Sequence, residues 1–179
     1  MNMHLLEKHL SLVGSLLVLV LCCSVALAQA PEKKDELTVK DREEWRKLLK
    51  WPDECERGFR EYQQYFPPGG LNFNQLGKGE YLVNVGCSGS NSIFMYYREK
   101  SPVLARLLKF KEYERAYGIK DSSYSKVNFL VTSFDPVGNL LWIYSKTATE
   151  NLCLMHKYTF RRGRPVLIRT RKIRCSDVV

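Results

Sequence analysis

The sequence predicts an α+β chain, mostly β: short N-terminal helices packed on antiparallel β-hairpins and locked by two disulfides. Three observations carry that prediction. Apolar residues recur at helical spacing before residue 66, they alternate with period two over much of the chain after residue 67, and four cysteines lie beyond an apolar leader. The 179 residues are 45% hydrophobic and 26% charged, which excludes a disordered or collagen-like chain.

Residues 1–28 read as a signal peptide. Lys8 precedes an uncharged stretch running from His9 to Pro31, and Ala26-Leu27-Ala28 supplies the small-x-small pattern of a cleavage site. The other reading is a retained anchor, because the apolar stretch reaches the lower limit for a spanning helix. Both place the folded part outside the cytoplasm, periplasmic or secreted. Residues 29–37 are charged, begin near Pro31 and read as a linker. Residues 38–179 form one globular domain, helical over 38–66 and β-rich over 67–179.

Thr38 stands three residues before Asp41 at a capping spacing, and Trp45, Leu48 and Leu49 share one helical face. Pro52, Asp53 and Glu54 open a second helix with Cys55, Phe59 and Tyr62 on one stripe, and Pro67-Pro68-Gly69-Gly70 ends it. Strands follow over 81–87 and 92–97, joined by a Ser/Gly/Asn turn. Residues 129–134 and 140–144 flank a hairpin turn at Asp135-Pro136-Val137-Gly138-Asn139, and 152–160 and 165–175 flank Arg162-Gly163-Arg164.

A weak repeat suggests one further strand. Cys87 and Cys153 are each followed seven residues on by Phe94 and Phe160, then by Pro102 and Pro165 heading similar runs. Leu104, Leu107 and Leu108 would also fit one helical face, but on that argument residues 103–110 form a strand. The expected core comprises Trp51, Phe59, Tyr81, Val83, Val85, Phe94, Phe129, Trp142 and Ile143.

With Cys22 and Cys23 in the leader, Cys55, Cys87, Cys153 and Cys175 remain, an even number in an exported chain. Three connectivities are open, and the favoured one joins Cys55 to Cys87 and Cys153 to Cys175. The rival is a four-thiolate zinc site, which the absence of any C-x-x-C spacing argues against.

The sequence carries no catalytic motif and calls for no cofactor. His156 is the one histidine beyond the leader, so a multi-histidine metal site is excluded, and a solvent-facing strand position is expected for it. The run from Gly86 to Ser92 is neither a nucleophile elbow nor a phosphate-binding loop, and reads as a structural turn.

Charge placement is the distinctive feature. Of the net +9, residues 151–179 hold eight bases (Lys157, Arg161, Arg162, Arg164, Arg169, Arg171, Lys172 and Arg174) against the single acid Asp177. Strand alternation puts Arg169 and Arg171 on one face with Leu167 and Ile173, and Lys172 and Arg174 on the other with Ile168 and Thr170. Both faces are mixed, as on an edge strand. Two roles fit: cations that keep an exposed edge from pairing with other chains, or an anion-binding surface built on arginine forks. The leading functional expectation is a non-catalytic binding module for an anionic glycan, wall polymer, lipid headgroup or acidic protein, with nucleic acid disfavoured by export. An inhibitor of a secreted enzyme is the alternative, and a hydrolase ranks below both.

Trp51-Pro52-Asp53-Glu54 before Cys55, Tyr81-Leu82-Val83 before Cys87, Tyr144-Ser145-Lys146 before Cys153 and the closing Cys175-Ser176-Asp177 resemble a family of exported bacterial four-cysteine proteins known only as a domain of unknown function. The resemblance spans roughly residues 50–177 and implies a disulfide-bonded β-rich domain with the pairing favoured above. It brings no activity, cofactor or catalytic residue. The family's glycine-rich segment around the third cysteine is replaced here by Thr147-Ala148-Thr149-Glu150-Asn151-Leu152-Cys153-Leu154.

Overall fold

The structure is a computed structural model that describes residues 33, 37–88, 91–100, 104–117, 125–128, 132–147, 149 and 151–178. The leader, most of the linker, Phe129, Pro102 and Val103 lie outside these residues.

Helix α1 (Val39–Leu49) begins at a complete capping box. Thr38 Oγ1 accepts from the Asp41 amide at 3.2 Å, and Asp41 Oδ2 accepts from the Thr38 amide at 2.8 Å. It ends at Lys50 in the left-handed region, whose amide donates to the Arg46 carbonyl. Helix α2 (Asp53–Tyr62) starts after Pro52 with three acids in its first turn and runs on as a short 3-10 turn through Tyr65. Its α-helical part thus stops five residues before the Pro-Pro-Gly-Gly break.

Two antiparallel sheets follow. The first has the order β1 (Leu71–Gly77), β2 (Glu80–Ser88), β3 (Asn91–Arg98), with β4 (Leu104–Leu107) and β5 (Lys126–Asn128) sharing the far side of β3. The second is a meander of β6 (Thr132–Asp135), β7 (Leu140–Lys146), β8 (Leu152–Arg161) and β9 (Arg164–Arg174). Helix α3 (Lys111–Tyr117) lies between β4 and β5 in the chain. The mostly-β α+β architecture is therefore the one the sequence predicts.

Strand parity sorts the core into two layers. Odd positions Val83, Val85, Cys87, Ile93, Met95 and Tyr97 pack with Trp45, Leu49, Trp51 and Cys55 of the helices. Even positions Leu82, Phe94 and Tyr96 pack with Leu141, Ile143 and Tyr158 of the second sheet, sealed by Phe110 and Tyr113. Central strands β2 and β3 are buried on both faces, so the first sheet is the middle of three layers. Trp51, Phe59, Val83, Val85, Phe94 and Ile143 are buried as expected, whereas Tyr81 and Trp142 are half-buried.

Three expectations need correction. Residues 108–110 are not strand: β4 stops at Leu107, and Leu108 and Phe110 turn into the core. The spacing match is not a structural repeat, because Cys87 and Phe94 lie on two strands while Cys153 and Phe160 lie on one. A strand that alternation does not indicate, β1 from Leu71, precedes the expected one and pairs Phe73 with Val83 across the ladder.

Both disulfides pair as favoured, Cys55–Cys87 and Cys153–Cys175. Such bridges belong to an oxidising, exported environment. Among the described residues no helix is long and apolar enough to cross a membrane. The first bridge pins α2 to β2, and Gly58 allows that approach: a Cβ there would lie 2.8 Å from the Cys87 carbonyl oxygen.

Beside it sits a buried guanidinium that the sequence does not announce. Arg42 Nε donates to Glu56 Oε1 at 2.8 Å, Nη1 to the Gly69 and Gly70 carbonyls at 3.2 and 3.1 Å, and Nη2 to the Gly86 carbonyl at 2.9 Å. Trp51 Nε1 donates to the same Glu56 oxygen at 2.7 Å, and the Phe59 ring lies 3.8 Å from the guanidinium carbon. Burial pulls the Arg42 pKa down while the Glu56 pairing opposes the shift.

Candidate anion-binding surface

The β8–β9 hairpin turns on two residues, Arg162 and Gly163, at φ 50° and 68°. Positive φ at both central positions is the type I′ requirement, and its twist matches that of the strands. Gly163 is required for a second reason: a Cβ there would lie 2.5 Å from the Tyr96 ring. The turn thus presses on the first sheet. Arg106 of β4 clamps it, its guanidinium carbon 4.9 Å from the Tyr96 ring centre and its Nη2 donating to the Arg162 carbonyl.

Strand β9 is the sheet edge, as its mixed faces suggest, but one face assignment changes. The ladder pairs Lys157 with Arg169 and Tyr158 with Leu167, leaving Ile168 as an extra residue in a bulge. Leu167 therefore turns inward with Tyr158, while Arg169 and Arg171 stay on the outer face with Ile173. Sequence alternation cannot register that extra residue, and so it grouped Leu167 with Arg169.

The eight predicted cations separate into four places. On the outer face, cross-strand rows run Ser133–Trp142–Lys157–Arg169 and Tyr144–Met155–Arg171, with Lys157 Nζ 5.3 Å from the Trp142 ring centre. Arg161 and Arg162 project from the exposed turn. Lys172 and Arg174 lie at the opposite end of β9, beside the Cys153–Cys175 bridge, paired with Leu154 and Leu152. Arg164 enters a crevice of about 360 Å³ between β4 and β9 that also holds Arg106, Lys109 and Lys111.

Among the described residues no ion pair joins any of the eight to a carboxylate. Like charges instead face each other directly, Arg161 opposite Arg164 and Lys157 opposite Arg169. Arg106, Lys111 and Trp142 belong to this surface and were not marked as such by the sequence; placing residue 106 on a sheet edge is the signal that could have found Arg106. Burial and the neighbouring Arg164 push the Arg106 pKa down.

His156 is not solvent-facing. It is 2% exposed, with Nε2 2.9 Å from Ser145 Oγ and Nδ1 3.3 Å from Thr170 Oγ1. Plain alternation along β8 puts it on the inner face with Tyr158, and burial lowers its pKa, against a smaller upward pull from Glu112. Ser145 is 1% exposed, so this serine–histidine pair is sealed in the core and reads as a satisfied polar contact. Among the described residues no group of three or more His, Cys, Asp or Glu side chains is placed to hold a metal ion.

No family model matches the chain, and no curated protein or solved structure matches it.

Proposed function

We propose that this chain is an exported, periplasmic or secreted, non-catalytic binding module, released from a signal peptide over residues 1–28. In this reading it contacts an anionic polymer of the cell envelope, a glycan or wall polymer, through its β8–β9 hairpin. What supports it is the pairing of like charges across the ladder, Arg161 with Arg164 and Lys157 with Arg169. Directly opposed like charges cost stability. Edge protection needs cations on β9 alone. Placing more of them opposite on β8 adds repulsion without further shielding the edge, so an external anion is the economical account. Aromatic Trp142 and Tyr144 in the same rows offer ring faces on which sugars can lie.

The test is retention of the intact protein on immobilised heparin across a salt gradient. Replacing Arg161, Arg162, Arg164 and Arg169 together by Ser should lower the eluting salt markedly, since each lost cation removes released counterions. Unchanged elution removes the proposal. Binding to anionic vesicles with none to heparin replaces the polymer by a lipid surface.

A further inference from the structure

The crevice between β4 and β9 differs from the rest of the basic surface in being concave, two-toned and held in place. One wall is cationic, with Arg106, Lys111 and Arg164; Lys109 also lines it but is engaged with Glu114 at 3.5 Å. The other wall is apolar, with Leu107, Leu108 and Leu167 beside the buried Tyr158 ring. Its volume of about 360 Å³ lies at the small end of the range for ligand pockets.

Two features mark it as prepared for a ligand rather than left over from packing. The guanidiniums of Arg106 and Arg164 are close enough to repel, yet no ion pair among the described residues neutralises either, and Arg106 Nε is buried without a hydrogen-bond partner. Arg106 is nonetheless fixed, by Tyr96 beneath it and the Arg162 carbonyl at its tip. Deeper in, the Tyr158 hydroxyl is buried beside Glu112 and the Tyr113 backbone, and burial with the Glu112 charge pushes its pKa up. Glu112 is the one carboxylate among the described residues on the crevice wall, which leaves Arg106, Lys111 and Arg164 in excess.

Resting on the anion-binding reading above, we infer that this crevice binds a phosphomonoester head group carrying a short apolar chain. A phosphomonoester brings a charge of about −1.5 to −2 at neutral pH and three acceptor oxygens, which suits two arginine forks and a lysine better than a single carboxylate does. The apolar wall accepts the carbon chain. A free metabolite and a lipid head group share this chemistry.

The experiment is calorimetric titration of the intact protein with inorganic phosphate and with octyl phosphate below its micelle concentration. Octyl phosphate should bind, and about tenfold more tightly than inorganic phosphate, as burial of a few methylenes demands. Arg164→Gln and Lys111→Gln should each weaken it about tenfold, Glu112→Gln should tighten it, and Arg169→Ser with Arg171→Ser should leave it unchanged. Arg106→Gln is less decisive because it also unclamps the turn. Equal affinity for the two probes removes the apolar chain from the inference, and no binding, or binding indifferent to Arg164 and Lys111, overturns it. Heparin retention measured on the same variants separates the two readings. Octyl phosphate binding without heparin retention leaves the crevice standing and the polymer surface fallen; the reverse does the opposite.

Discussion

Two arginine environments divide this molecule. Near Cys55–Cys87, Arg42 is fully buried, and its donors reach one carboxylate and three backbone carbonyls drawn from α2, the Pro-Pro-Gly-Gly segment and β2. On the β8–β9 hairpin, eight cations form no ion pair with a carboxylate among the described residues. The first set has spent its hydrogen bonds inside the protein and can do nothing but hold elements together. The second set is available. Counting basic residues therefore says little about function; what matters is whether their donors are already satisfied.

The largest expected effect follows from the satisfied set. Arg42→Met leaves Glu56 buried without its cation and strips three carbonyls of a donor, a loss of about 3–5 kcal/mol on the usual cost of breaking a buried pair. Urea unfolding measures it. A loss under about 1 kcal/mol would mean that water reaches Glu56 in the native state. Arg42→Met combined with Glu56→Leu should recover part of the loss, because no unpaired charge is then left behind.

Removing the bridges sharpens the comparison. Chain-entropy estimates put each at roughly 3 to 4 kcal/mol, with the 32-residue separation of Cys55–Cys87 slightly ahead of the 22 of Cys153–Cys175. Burial widens the gap. Cys55 and Cys87 are both sealed in the helix-side core, whereas Cys175 is half-exposed beyond the end of β9. Replacing the first pair by Ala should lower the urea midpoint more than replacing the second, and equal losses would show that packing around α2 adds nothing to the covalent link.

What the sequence reveals of all this depends on how local the cause is. The Thr38 capping box, the two hairpin turns and the alternation of β2 are set within a few residues, and each is legible. Strand β1 escaped because Asn72 and Asn74 dilute its alternation and it is defined by pairing with β2. Helix α3, with the sequence Lys-Glu-Tyr-Glu-Arg-Ala-Tyr, is too short to show a periodic face. The burial of Arg42 rests on contacts up to 44 residues away, and the inward turn of His156 on its ladder partners. At the candidate site the eight cations were legible as a charge excess, but their separation into an outer face, a turn, a far end and a crevice depends on one bulge and on Arg106 from the other sheet.

A smaller effect tests the sealed histidine. Burial holds the native His156 pKa below its ordinary value of about 6.5. Below that pH the unfolded chain binds a proton that the native chain refuses, so stability falls as the pH drops, by at most about 1.4 kcal/mol per unit. Urea midpoints between pH 7.5 and 5.5 should decline, and His156→Gln should remove that decline while lowering stability at every pH. A flat profile would place His156 in contact with solvent.

The smallest effect has the opposite sign to the first, and that is its value. Arg161→Ser and Arg169→Ser each relieve a like-charge pair across the β8–β9 ladder and break no ion pair among the described residues. Each should raise stability by about 0.2–1 kcal/mol at low ionic strength, and the gain should shrink as salt screens the repulsion. The same substitutions should weaken heparin retention. An arginine whose removal stabilises the fold while abolishing binding is held there for something outside the molecule. If these substitutions instead destabilise the protein as Arg42→Met does, the two environments are one kind, and the hairpin cations belong to the architecture.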